Sequence, residues 1–209
     1  MTIKNNYIST SLKYLKSMMQ LHSFRVKLIK GFSLLLIFSL MSFSSPTNNS
    51  NVHSFALKSI DGSNINLGDY KGKILVLVNV ASNGPLAVQY ASLQKLHTEY
   101  KDKVVVVGFP SNSYRNELDT DKEIRSSCRS KYKVSFPLST KIDVKGSNQH
   151  PLFKYLSSKS LNGVMDAPPN MDFQKYIIDQ NGNLITTVEP NKDIYDSEAI
   201  VTIKGLIGA

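Results

Sequence analysis

Two apolar blocks constrain this chain more than anything else in it: "KILVLVNV" at residues 73–80 and "KVVVVGFP" at residues 103–110. Neither alternates apolar with polar residues, so each reads as a strand covered on both faces. Between them, Leu86, Tyr90, Leu93, Leu96 and Tyr100 recur at helical spacing, and Pro85 suits a first helical turn. Strand, helix and strand of these lengths make a βαβ unit with parallel pairing and a right-handed crossover. A sheet buried on both sides needs a layer on each face, and the rest of the chain must supply both.

The remaining patterns supply those layers. "VHSFALKS" (residues 52–59) predicts a first short strand, followed by a turn at Asp61–Gly62. Thr120 and Glu123 form a capping box, and the helix they open carries Ile124, Cys128 and Tyr132 on one face. "VSFPL" and "KIDVKG" read as short extended pieces, and "HPLFKYLSSK" as a brief helical segment. "FQKYIIDQNGNLITTVEP" reads as two strands around an Asn-Gly turn. "DSEAIVTIKGLI" closes the chain with a helix whose Ala199, Ile200, Ile203 and Ile207 share a side. A βαβ unit, a helix, a hairpin and a final helix are the order of a thioredoxin-like α/β domain. The expected architecture is a central mixed sheet flanked by helices, in one domain over residues 51–209.

Residues 1–50 stand apart as a leader. They hold six basic residues (Lys4, Lys13, Lys16, Arg25, Lys27, Lys30) and no acid. "RVKLIK" precedes the apolar "GFSLLLIFSLMSF", and small polar residues follow, with Ser42 and Ser44 spaced as a small-x-small cleavage site. A start at Met18 or Met19 gives the shorter n-region usual for such signals. The apolar block is shorter than the ~20 residues of a bilayer span. A cleaved export signal is therefore expected, with the periplasm or the cell exterior as destination and a membrane anchor only if the leader stays attached. No cysteine follows the apolar block, which excludes lipid attachment there.

Outside the leader, 19 basic residues face 16 acidic ones, so the net charge of +9 is mostly local and no nucleic-acid face is expected. The single cysteine, Cys128, can form neither an internal disulfide nor a cysteine-based metal site. His22, His53, His97 and His150 lack metal-ligand spacing. Asp119, Asp121 and Glu123 read as helix-start acids. "KSIDGSN" and "DQNGN" lack the full ligand series of a calcium loop. No metal and no cofactor is expected.

From about Phe55 to Pro190 the chain resembles the glutathione peroxidase family. "GDYKGKILVLVNVAS" resembles the family's entry to its first core strand, and "LHTEYKDKVVVVGFPSN" its helix end and second strand. "SFPLSTKIDVKGSNQHPLFKYL" is similar to its middle signature and "DFQKYIIDQNGNLI" to its hairpin. The resemblance implies a thioredoxin-like fold and thiol-dependent reduction of hydroperoxides. That chemistry uses a cysteine or selenocysteine, a glutamine, a tryptophan and an asparagine. A thiolate at a helix N-terminus attacks the peroxide oxygen, and the other three side chains hydrogen-bond the sulfur and the leaving oxygen. On the matching motifs, the nucleophile's place is Gly84, the glutamine's is Ser113, and the tryptophan–asparagine pair becomes Met171–Asp172. Ser111 replaces a cysteine common in that loop, and the chain contains no tryptophan. Glycine has no side chain with which to attack a peroxide.

The resemblance therefore implies descent from the family with the reaction impaired or lost, and a role as an exported binding or accessory module. An enzymatic alternative is a weak thiol-dependent peroxidase using Cys128 as a displaced nucleophile; the competing view of Cys128 is a small buried residue on its helix. A purely structural domain is the third reading. Likewise "SNGP" (Ser82–Pro85) is either an ordinary tight turn or a seat for an anion or small polar ligand on the N–H groups of the helix end, lined by Asn83, Gly84, Ser113 and Asp172. The partner is accordingly a small polar ligand or a protein.

Overall fold

The computed structural model describes residues 51–208 apart from Ser197, so the leader lies outside the described residues. The first long apolar block forms β3 (Ile74–Val80), buried along its whole length. Its side chains alternate between the two faces of the sheet. Ile74, Val76, Val78 and Val80 enter one core layer, with Tyr90, Leu93 and Leu96 of α1 (Tyr90–Glu99), Ile124 and Cys128 of α2 (Asp121–Lys131), and Ala199, Ile200 and Ile203 of α5 (Glu198–Gly208). Leu75 and Leu77 enter the other. There they meet Leu152, Phe153 and Leu156 of α3 (Pro151–Ser157) and Leu57 and Ile65 of the hairpin β1 (Ala56–Lys58) and β2 (Asn64–Asn66). Each fully buried leucine contributes roughly 1.5–3 kcal/mol, which is why a strand with no polar face is stable only in the middle of such a sandwich.

The second apolar block forms β4 (Val104–Pro110), parallel to β3 from Ile74 opposite Val104 to Val80 opposite Pro110. On the other side of β3 lies antiparallel β5 (Lys175–Ile178), followed by antiparallel β6 (Leu184–Val188), so the mixed sheet runs β4-β3-β5-β6. The Asn-Gly turn joins β5 to β6: Gly182 has a φ of 89°, and Asp179 Oδ1 accepts from the N–H groups of Asn181 and Asn183. The short helix α4 (Lys159–Asn162) follows α3. No helix among the described residues is long and apolar enough to cross a membrane.

Several local expectations shift. Residues 52–59 do not form one strand: Val52–Ser54 is a 3₁₀ turn, because Asn51 caps it by accepting from the His53 N–H, and only Ala56–Lys58 is extended. Pro85 does not open the α-helix. It opens a 3₁₀ turn, Pro85–Gln89, and α1 begins at Tyr90, since Gly84 has no side chain to cap a regular first turn. "VSFPL" contributes only the bridge Gly108–Leu138, the next residue adds the bridge Ser59–Ser139, and "KIDVKG" joins no strand. The capping box is present as expected: Glu123 donates its N–H to Thr120 Oγ1 at 3.2 Å, and Glu123 Oε2 accepts from the Thr120 N–H at 3.0 Å.

Lys175 has no exposed surface, although it lies on a central strand. Its ammonium donates to three carbonyl oxygens, of Glu189 (3.3 Å), Pro190 (3.1 Å) and Lys192 (2.5 Å). One buried cation thereby pins the loop that follows β6. Burial pulls its pKa down to about 8, against the opposing pull of Asp193 and Glu189.

Candidate functional site

The corner between β3 and the first helix is where an α/β fold normally mounts a reactive group, because strand ends and helix starts leave backbone N–H groups unpaired. Here the protein itself takes two of them, at Ser82 and Asn83. Glu117 Oε1 accepts from the Ser82 N–H and from the Leu118 N–H, both at 2.9 Å, and the Asn116 carbonyl accepts from the Asn83 N–H at 3.0 Å. A carboxyl of the chain thus already holds the Ser82 N–H, and an anion approaching the expected seat would meet it. Five residues of 3₁₀ turn also supply little of the aligned dipole that an α-helix end would.

Gly84 adopts an extended conformation (φ −89°, ψ 164°) open to any residue, so its backbone does not require glycine. The constraint is spatial. A Cβ at Gly84 would stand 3.2 Å from Asn116 Cβ and 3.6 Å from Asn116 Nδ2. Asn116 therefore fills the space above the missing side chain, and its amide donates to Asp172 Oδ2 at 2.8 Å. Asp172 is only 2% exposed. Burial raises its pKa, against the opposing pulls of the Asn116 hydrogen bond and of Lys145. Tyr114 flanks it, with the Lys145 ammonium 3.8 Å from its ring and its hydroxyl donating to the Pro169 carbonyl. Burial, with Asp172 adding to it, pushes the Tyr114 phenol up to about 12.

Of the four positions singled out by sequence, the structure joins two: Gly84 and Asp172 meet through Asn116. Met171 lies at the rim with 47% of its surface exposed, and its carbonyl accepts from Asn79 Nδ2 at 3.0 Å. Ser113 is tied elsewhere. Its hydroxyl accepts from Ser111 Oγ at 2.9 Å and from the Val144 N–H at 3.1 Å. Asn83 is exposed and takes part through its backbone. Of these four expected lining residues, Gly84 and Asp172 are thus brought together by Asn116, while Ser113 and the exposed Asn83 turn to other partners.

Cys128 lies beneath this corner with no exposed surface, its Sγ 3.6 Å from Ser82 Oγ. Burial raises the thiol pKa, and Glu117 adds to the rise; the hydroxyls of Tyr90 and Ser82 pull the other way. A thiol so placed is mostly protonated at neutral pH and shielded from solvent, the reverse of what a nucleophile needs. Glu117, 7% exposed, is likewise raised by burial, and Asp172 adds to the rise.

The chemical character of the corner follows. Asn79 Oδ1, Glu117 Oε2 and Asp172 Oδ1 are all buried acceptors with no hydrogen-bond partner among the described residues. Stabilising a thiolate or the leaving oxygen of a peroxide takes donors; this corner offers carboxyls. Sequence reasoning missed Asn116 and Glu117. Both fall in the polar loop "SNSYRNELD", which has no periodicity, and only their approach to residue 84 across the fold shows their role. The histidines serve locally: His97 Nδ1 accepts from the Val106 N–H, and His150 caps α3 by accepting from the Leu152 N–H. Burial lowers the pKa of both. His53 is buried beside the Asn-Gly turn, and His22 lies outside the described residues.

Comparison with known proteins matches this architecture. Residues 52–157 match the sequence profile described as Glutathione peroxidase. The chain is 39% identical over 142 residues to the glutathione peroxidase homolog BsaA of Halalkalibacterium halodurans, covering 67% of this chain and 90% of that protein. It is 36% identical over 146 residues to the hydroperoxy fatty acid reductase gpx1 of Synechocystis sp., covering 66% and 85%. Among solved structures, T. cruzi GPX1 superposes with a TM-score of 0.59 at 25% identity, over 77% of this chain and 97% of that one.

Proposed function

Because the chain belongs to the glutathione peroxidase family, we propose that it has kept the family's scaffold and given up the peroxide reaction, and that it acts as an exported binding or accessory module. One observation carries the reading: at the β3 corner the place of a reactive side chain is taken by Gly84 and filled by the Asn116–Asp172 pair. Reduction of a hydroperoxide transfers an oxygen to sulfur or selenium and releases water or an alcohol. No sulfur or selenium is carried at residue 84, the nearby Cys128 thiol is buried beneath the corner, and the buried carboxyls around it would raise the pKa of a thiol rather than lower it.

Export is the second half of the proposal. It rests on the basic and apolar leader, and the family match beginning at Val52, directly after that leader, is in keeping with it. Fractionation of producing cells, with N-terminal sequencing of the protein recovered, tests this half. A chain found only in the cytoplasm with residues 1–50 intact refutes it.

Turnover decides the first half. Hydrogen peroxide and an organic hydroperoxide are each supplied with glutathione or thioredoxin, and the wild-type chain is compared with Cys128→Ser. The expected result is no turnover above background in either. Turnover in the wild type that disappears in Cys128→Ser would establish the thiol-peroxidase alternative. Turnover in both would refute the loss of activity and place the chemistry on a group other than a thiol.

A further inference from the structure

β6 ends the sheet. Among the described residues its one strand neighbour is β5, so its other side presents a row of backbone N–H and C=O groups outward. Monomeric proteins commonly blunt such an edge with lysine, proline or a bulge. The β6 sequence, Leu184–Val188, contains neither charge nor proline. Its register shift leaves Ile185 as an extra residue between Ile177 and Ile178 of β5, which disrupts the first half of the edge only. Thr186, Thr187 and Val188 keep a regular ladder, and a cavity of about 400 Å³ lies along them, closed on its far side by the start of α5.

The charge of this groove opposes that of the chain. Glu189, Asp196 and Glu198 line it against one lining cation, Lys192, with the Lys175 ammonium buried behind its wall, while residues 51–209 carry 19 basic against 16 acidic residues. Its wall is preformed, because Lys175 holds the carbonyls of Glu189, Pro190 and Lys192 in place. A partner would not have to order that loop on arrival.

We infer that the outer edge of β6 is a docking site for an extended, basic peptide segment of another protein, which adds a strand to the sheet and sets lysine or arginine side chains in the acidic groove. Backbone pairing supplies affinity in this mode, and the side-chain groove supplies selectivity. A lysine or arginine set in the groove would direct its charged head toward the carboxylates of Glu189, Asp196 and Glu198. A second copy of this chain is the poorer occupant, because pairing β6 with β6 would bring two acidic grooves together. Docking at β6 is independent of whether the Gly84 corner turns over peroxide.

The probe is a fluorescein-labelled octapeptide alternating valine and lysine, titrated with the full chain and followed by anisotropy. Saturable binding is expected, weakening with added salt. A glutamate-for-lysine peptide and a peptide with a central proline should each bind about tenfold more weakly or worse, since one reverses the charge match and the other breaks strand pairing. Glu198→Lys with Asp196→Lys, both exposed surface changes, should weaken binding of the lysine peptide by a similar factor, and circular dichroism verifies that the variant is folded. Hydrogen exchange should show the amides of residues 186–188 slowed by the peptide. Absence of saturable binding at millimolar peptide, unchanged binding in the charge-reversed variant, unaltered exchange in β6, or a dimer buried through β6 in sedimentation would each overturn the inference.

Discussion

Asp172→Asn should stabilise the protein at neutral pH. The carboxyl is 2% exposed, one of its oxygens accepts from Asn116 Nδ2, and the other has no partner. A buried acceptor left unsatisfied costs about 1–3 kcal/mol. Asparagine keeps an oxygen toward Asn116 and replaces the orphan acceptor oxygen by an amide N–H₂. The hydrogen bond from Asn116 loses its charged acceptor, which gives back about 1 kcal/mol. The net gain is then about 1 kcal/mol, or roughly 2–4 °C in Tm for a chain of this size.

The pH dependence of this pair of proteins has a definite sign. The folded pKa of Asp172 is raised above its ordinary value of 3.8, so below that value the residue is protonated in both states and costs nothing through charge. As pH rises from 3.8 through the raised folded value, the folded state binds more protons than the unfolded one, and stability falls. That fall should be smaller in Asp172→Asn; part persists because Glu117 shifts in the same direction. Urea melts followed by circular dichroism from about pH 3 to about pH 8 measure both quantities. If Asp172→Asn is the less stable protein at neutral pH and shows the same slope with pH, the acceptor-rich account of this corner is wrong.

Glu117→Ala removes the acceptor for the Ser82 and Leu118 N–H groups and should cost about 2 kcal/mol in urea melts, whereas Glu117→Gln, which keeps that oxygen, should lie within about 1 kcal/mol of wild type. Gly84→Cys should fold with a loss of about 1 kcal/mol, since its Cβ meets Asn116 at 3.2 Å and that side chain must give way. Its new thiol should react with peroxide more slowly than free cysteine, and adding Asp172→Asn should speed it, as read by stopped-flow thiol oxidation; a rate unchanged by Asp172→Asn would refute the electrostatic argument. Lys175, with a folded pKa of about 8 against an ordinary 10.5, is charged in both states below about pH 8. Above that pH the unfolded chain binds the extra proton, so the stability of wild type relative to Lys175→Met should rise between about pH 8 and 10.5 in denaturant melts.

The local patterns of the chain were enough to determine its sheet. Two runs apolar on both faces can be buried only in the middle of a sandwich, and helical spacing between them leaves parallel pairing with a right-handed crossover as the arrangement. The Thr120–Glu123 box and the Asn-Gly turn act over three or four residues, so they too were legible. Helix starts were less so: Pro85 is compatible with either a 3₁₀ or an α turn, and the capless Gly84 decided between them. Reading residues in their motifs also singled out Gly84, Ser113, Met171 and Asp172, but not what surrounds them. That Asn116 lies over Gly84, that Glu117 takes the Ser82 N–H, and that the Lys175 ammonium is held by carbonyls of the loop after β6 are contacts between segments from 14 to 35 residues apart. No one-dimensional pattern encodes them, because they arise from where the loops after β4 and β6 return across the sheet. Tertiary structure alone therefore decided that Asn116 covers residue 84, that the corner is rich in acceptors, and that β6 ends the sheet among the described residues.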